Sequence, residues 1–384
     1  MPRFLLHSEV IADYRGIIAS PGAVLLDGDT IVAVGAPEEI GHLEDVPITQ
    51  INGMTTPSFV NAHSHLDLSG VGTVPCKDSF ANWLIEIVRP IRQERDSISK
   101  YVQKGVALSL AGGCRIVGDI AGSQLAAQTA RDSELLPVSF VELIGFGKGV
   151  ESAISTLHAI PDQFEASPHA PYTCSQEVFA ACFDSGKKVA THVAESLPEL
   201  EFIAHHRGEL YDYLVKLDAW DEQMRPWECH PVDAILQIAN GKPFLAAHLN
   251  YIEDRHLELI GQSNMSVVYC PRASAYFGHA NHRWKEMIDA GITVALGTDS
   301  LLCLDTPERL SVLDEMRLLY ARDAANPNEL MKMATVYGTK ALGLDCSLVT
   351  LSTGKTAGLL SFEGIASLDS LLSSETAPKW ILQP

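Results

Sequence analysis

Residues 56–65 read Thr-Pro-Ser-Phe-Val-Asn-Ala-His-Ser-His. A short apolar run over 56–62 ends in two histidines spaced i and i+2. On a strand such residues share a face, so His63 and His65 are spaced to grip one metal ion. The same rhythm recurs along the middle of the chain. Apolar runs end in polar residues at 115–120, 138–144, 164–167, 189–191, 244–247, 266–270 and 293–297. Helix-like patterns fill the gaps, for example 80–95, 100–111, 231–239, 254–261 and 282–290. Eight alternating units predict parallel strands closed into a (β/α)8 TIM barrel, an α/β fold.

The flanks read differently. Residues 22–34 are apolar strands around an Asp27-Gly28-Asp29 turn, the chemistry of a tight hairpin. Apolar runs at 347–351 and 357–362 flank Thr353-Gly354-Lys355. Short β segments at opposite ends of a chain can pair. The expected organisation is a small β-sandwich domain built from 1–55 and 346–384 around a barrel at 56–345.

Composition narrows the function classes. The chain has 384 residues, 46% of them hydrophobic and 20% charged, enough for a sizeable core. Its formal charge of −20 repels phosphates, which argues against nucleic acid and anionic membranes as partners. Eight cysteines form no CxxC pair, and so read as reduced, mostly buried thiols of a cytoplasmic protein. The start, Met-Pro-Arg-Phe-Leu-Leu-His, lacks the apolar stretch of a signal peptide. No run of eighteen apolar residues suggests a membrane span.

Barrel active sites lie where the strands end. After the first run come His63 and His65; after the fifth, His192-Val193-Ala194-Glu195; after the sixth, His248; after the eighth, Asp299-Ser300. A lone histidine is usually a packed or surface group, and an Asp before Ser is usually a helix cap. Their recurrence at one end of four strands favours a shared site. Three imidazoles and a carboxylate suit a borderline divalent metal: zinc first, with iron or manganese as alternatives. Such an ion makes water a nucleophile at neutral pH.

PSFVNAHSH, THVAES, AAHLNY and LGTDS, in that order, resemble the amidohydrolase superfamily, in its mononuclear branch of deaminases and chlorohydrolases. The fourth run lacks the lysine that would bridge two metals; it reads Ala166-Ser167-Pro168-His169. The resemblance implies one divalent metal on His63, His65, His192 and Asp299. It implies that His248 hydrogen-bonds the attacking water or the forming oxyanion, and that Glu195 moves protons. SPHAPYTCS at 167–175 resembles S-adenosylhomocysteine and related nucleoside deaminases, which makes His169 a candidate substrate contact. CPRASAYFGH at 270–279 resembles aminodeoxyfutalosine deaminases, proteins of menaquinone biosynthesis, and adds Arg272 and His279.

One departure stands out. In the S-adenosylhomocysteine deaminases a Glu is expected after Pro-Ile to hold ribose hydroxyls; here Pro90-Ile91 precedes Arg92. A guanidinium cannot accept from a diol but suits an anionic arm such as a benzoate. Phe80 and Trp83 are candidates for an apolar wall against a flat ring. The expected function is hydrolytic deamination of a purine-like ring, an adenine nucleoside such as aminodeoxyfutalosine. Guanine deaminase, chlorohydrolase and cyclic-amide hydrolase are the alternatives. The expected partner is a small-molecule substrate, and the resemblance also admits a homodimer.

Overall fold

The computed structural model describes residues 3–41, 43–75, 79–222 and 224–381. Cys76, residues 1 and 2 of the N-terminus and residues 382–384 of the expected C-terminal segment lie outside them. The seven described cysteines are free thiols.

The N-terminal part forms β1 (Phe4–Asp13), β2 (Gly16–Ala19), β3 (Gly22–Asp27), β4 (Thr30–Gly35) and β5 (Ile48–Pro57). Eight strands follow between helices: β6 (Phe59–Ser64), β7 (Cys114–Ala121), β8 (Leu136–Leu143), β9 (Glu165–Pro168), β10 (Ala190–Val193), β11 (Phe244–His248), β12 (Met265–Tyr269) and β13 (Val294–Leu296). The chain closes with β14 (Gly354–Lys355), β15 (Leu359–Glu363) and β16 (Lys379–Trp380).

Both ends share one sheet, ordered β14-β4-β3-β1-β5-β15-β16 with β2 on β1. β15 lies antiparallel to β5 with Leu359 opposite Pro57. Leu6, Val24, Leu26, Ile31 and Leu359 form the buried cluster on one of its faces. Two expectations change here. The run 56–62 is two strands broken at Ser58, because Pro57 still pairs in the small sheet while Phe59 pairs with β7. The stretch 347–351 is no strand: Cys346–Val349 is a 3-10 turn, capped by the Asp345 side chain on the Ser347 N–H. The expected turn residues Gly354 and Lys355 pair with β4 instead.

The middle strands form two parallel four-stranded sheets, β6–β9 and β10–β13. Parallel bridges Ala166↔Val189 and Ser64↔Asp299 join them, closing eight strands into a ring. Val60, Ile116, Phe140, Leu245 and Val268 plug the ring, as bulky inward side chains do in such barrels. Residues of the opposite parity, such as Phe59, Val117, Val141 and Val267, pack outward against the helices. Burial on both faces explains why these strands read as continuous apolar runs. Among the described residues no helix is long and apolar enough to cross a membrane.

Candidate metal centre and its cavity

The strand ends carry the polar groups. His63 is the penultimate residue of β6, and His65 follows that strand. His192 lies in β10 and His248 ends β11. Glu195 and Asp299 sit in the turns beyond β10 and β13. Ala194, His248 and Asp299 have φ of 51°, 75° and 59°. Left-handed backbone at non-glycine residues is costly and concentrates at functional sites.

These groups converge. The ligand atoms of His63, His65 and His192 lie within 4.8 Å of one another, as do those of Glu195, His248 and Asp299. His65 Nε2 is 3.3 Å from His192 Nε2 and 3.4 Å from Asp299 Oδ1, which ties the two triplets together. His192 Nδ1 donates to the His169 carbonyl at 2.8 Å, leaving the Nε2 lone pair facing the cluster. Neither ring nitrogen of buried His63 has a hydrogen-bond partner, nor does His248 Nε2. Unpartnered buried polar atoms call for an explanation, and those of His63 and His248 fall within this cluster. Burial lowers His63, His65 and His248 well below the usual histidine range and His192 to about 3, so their lone pairs are free at neutral pH. Burial pushes Asp299 up to about 7 and Glu195 well above the usual carboxylate range. Neutral imidazoles beside buried carboxyls are the donor set that a divalent cation with mixed nitrogen and oxygen preference takes.

Glu195 Oε1 is 3.6 Å from His248 Nε2, and Oε2 accepts from the Tyr172 hydroxyl at 3.4 Å. Its loop is fixed from behind. The buried Glu199 carboxylate accepts from the Ala194 and Glu195 N–H groups at 2.9 and 2.7 Å. Asn250 donates to the Glu195 carbonyl at 2.9 Å.

A cavity of about 370 Å³ opens over the cluster, lined by His65, His169, His192, Glu195 and Asp299 at its floor. Phe80, Trp83, Tyr172 and Phe277 build an aromatic wall, with Trp83 and Phe277 edge to face at 5.1 Å. His169 Nδ1 contacts Thr173 Oγ1 at 2.6 Å, and the ring lines the cavity. Phe80 and Trp83, the two candidates for an apolar wall, thus both line this cavity.

Of the other expected substrate contacts, two lie off this cavity and one lines it already paired. Arg92 lines the cavity, but its guanidinium pairs with Glu142 and lies 3.7 Å from Asp67, with His65 Nδ1 at 3.1 Å. It is a compensated cation rather than a free anion receptor. Arg272 is carried away because Pro271 starts the helix Pro271–Tyr276. Its Nε reaches Glu315 at 2.7 Å, and it lines a separate cavity with Arg309 and Arg317. His279 Nδ1 meets the Tyr251 hydroxyl at 2.8 Å and does not line the main cavity. From the same segment it is Phe277 that reaches the wall. Sequence reading missed Glu142, Asp119, Tyr172 and Glu199. Glu142 and Asp119 lie near the ends of β8 and β7, where the rule of inspecting each strand end would have found them.

A closed parallel barrel with imidazoles and carboxylates gathered over its strand ends defines a class, the barrel hydrolases with a candidate metal centre. The model of the Amidohydrolase family matches residues 54–381, and the chain belongs to that family. It is 25% identical over 361 residues to the 5-methylthioadenosine/S-adenosylhomocysteine deaminase of Pyrococcus horikoshii, covering 85% of this chain and 78% of that one. It is 26% identical over 383 residues to the aminodeoxyfutalosine deaminase of Deinococcus radiodurans, covering 88% and 85%. Helicobacter pylori aminofutalosine deaminase, solved with methylthio-coformycin, shares the fold at a TM-score of 0.80 with 21% identity, covering 99% of each chain.

Proposed function

We propose that the protein is a metal-dependent hydrolytic deaminase that replaces the exocyclic amine of an adenine nucleoside by oxygen. One observation carries the reading: a partnerless buried imidazole, three further imidazoles and two carboxyls converge beneath an aromatic-walled cavity. His63, His65, His192 and Asp299 would hold the ion, with zinc the first choice. Bound there, it would supply Lewis acidity and a nucleophile from water.

The chain's own residues do the rest. Glu195 takes one proton from the attacking water and passes it to the ring nitrogen, then takes the second from the hydroxyl now on the ring carbon and gives it to the departing amine. Burial raises its carboxyl above the ordinary range, which suits a group that must both hold and release a proton. His248 Nε2, unpartnered and 3.6 Å from Glu195 Oε1, hydrogen-bonds oxygen as charge builds on it. His169 meets the substrate, while the packed rings of Trp83, Phe80 and Phe277 wall one side of its apolar part and exclude water. Ammonia leaves and the ring keeps the oxygen. Both curated relatives named above act as deaminases on adenine nucleosides by name, which supports the same class here. The free thiols fit the cytoplasm as the place of action.

Protein loaded with zinc or iron(II) is expected to release ammonia from 5′-modified adenosines, including 5′-methylthioadenosine and aminodeoxyfutalosine. Silence across that panel, with metal bound at one equivalent, would overturn the reading.

A further inference from the structure

The opposite end of the barrel holds a second cavity, of about 440 Å³, among residues that precede or begin the strands rather than follow them. Lys187 and Lys188 lead into β10, Lys242 precedes β11, and Lys340 comes from the helix Val336–Ala341. Four of the chain's thirteen lysines thus line one cavity in a protein of formal charge −20. Gly186, at φ 79°, makes the turn that presents the Lys187–Lys188 pair.

Three of the four ammonium groups are held by neutral oxygens alone. Lys187 Nζ donates to the Pro161 and Phe164 carbonyls at 3.1 and 2.9 Å. Lys188 Nζ donates to the Leu342 carbonyl at 2.8 Å, and Lys340 Nζ to Thr293 Oγ1 at 2.9 Å. Of these four, only Lys242 has a carboxylate in ion-pair contact among the described residues, Asp184 at 2.5 Å, and it also donates to the Phe183 carbonyl at 3.0 Å. The neighbouring acid Glu165 accepts from the Lys188 backbone N–H, not from an ammonium. Cations near the C-terminal ends of helices are favoured by the helix dipole, which fits Lys340 in the last turn of Val336–Ala341, Lys188 on the Leu342 carbonyl and Lys242 on the Phe183 carbonyl. It does not explain four around a concavity with a single counter-ion, because like charges gathered there repel unless an anion joins them. Phe183 and Phe244 add apolar surface below the charges. The volume is in the range of small-molecule sites.

We infer that this basal cavity binds a small multivalent anion of the phosphate-ester class, at a site separate from the metal centre. Two or more ammonium groups engage its phosphates and the phenyl rings meet its carbon skeleton. Fructose 1,6-bisphosphate is the probe, since it lacks a purine ring that would enter the other cavity. Calorimetric titration of the full metal-loaded chain at fixed ionic strength should give saturable binding. The double variant Lys188→Gln/Lys340→Gln should weaken it at least tenfold, while Lys148→Gln, far from the cavity, leaves it unchanged. If the double variant folds poorly, Lys187→Gln/Lys242→Gln serves the same purpose. Saturable, lysine-dependent binding supports the site. Absence of binding overturns it. So does saturable binding equal in wild type and variant, which means that the anion binds somewhere other than this cavity.

Discussion

Glu195 and Asp119 show how one physical cause, burial, serves two ends. Glu195 lies in reach of the reacting groups, so Glu195→Gln removes a proton carrier without touching a proposed ligand. Turnover should fall about 10²–10⁴-fold, while metal content by elemental analysis stays at the wild-type value. A variant that loses its metal would instead make Glu195 a ligand. Asp119, 1% exposed, is pushed from 3.8 to about 7, first by burial and then by Asp67. Between those values the folded chain keeps a proton that the unfolded chain has released, so this group's contribution to stability falls as pH rises through that window and levels off above it. Asp119→Asn keeps an acceptor for the Leu66 N–H, replaces the oxygen that accepts from Ser139 Oγ by an amide N–H that donates to that hydroxyl, and cannot ionise. Its stability relative to wild type should grow from pH 4 to pH 8 by on the order of 1–4 kcal/mol. Urea unfolding at both values checks this, and a pH-independent difference would refute it.

At the scale of elements, the helical stretch Phe80–Gln93 decides the shape of the cavity. It runs as a helix through Trp83, a π-turn over Leu84–Val88 and a helix again over Arg89–Gln93. The change of winding places Trp83 and Arg92 on the same cavity, with the Trp83 indole N–H on the Tyr276 hydroxyl at 3.1 Å. Trp83→Ala should raise KM about tenfold and lower kcat less, because a ring-stacking wall binds substrate and transition state alike. Steady-state kinetics on the best substrate found separates that from a catalytic role, which would lower kcat at constant KM. The barrel units were legible because each parallel strand is buried on both faces and so reads as an apolar run. The metal-ligand candidates were legible because i, i+2 spacing and strand-end position are local facts. Arg92 and Arg272 were not, since their partners Glu142 and Glu315 are 50 and 43 residues away. Sequence shows a guanidinium but not the distant carboxylate that neutralises it. The 347–351 segment failed for a related reason: apolar composition gave no hint of the Asp345 cap that winds it into a turn.

Across the whole molecule, the barrel is two half-sheets, and one of their two seams, β6 beside β13, runs next to the candidate metal centre. His63 and His65 come from the first half, His192 and Asp299 from the second. Beside them the seam is laced by Asn61 Nδ2 to Thr298 Oγ1 at 2.7 Å, Thr298 N–H to Asn61 Oδ1 at 3.0 Å, and Ser64 Oγ to the Asp299 carbonyl at 3.1 Å. An ion held by all four side chains would bind only when both halves are assembled, and binding to the folded state alone adds stability by mass action, about 4 kcal/mol at a thousandfold excess over Kd. Chelator-stripped protein should therefore melt several degrees lower than protein reloaded with zinc. His63→Ala and His192→Ala, one from each half, should each abolish the zinc-dependent rise. Lys148→Gln, an exposed control, should keep it. A rise that survives both histidine variants would mean that the stabilising ion binds elsewhere, and the seam would then hold through its hydrogen bonds and packing alone.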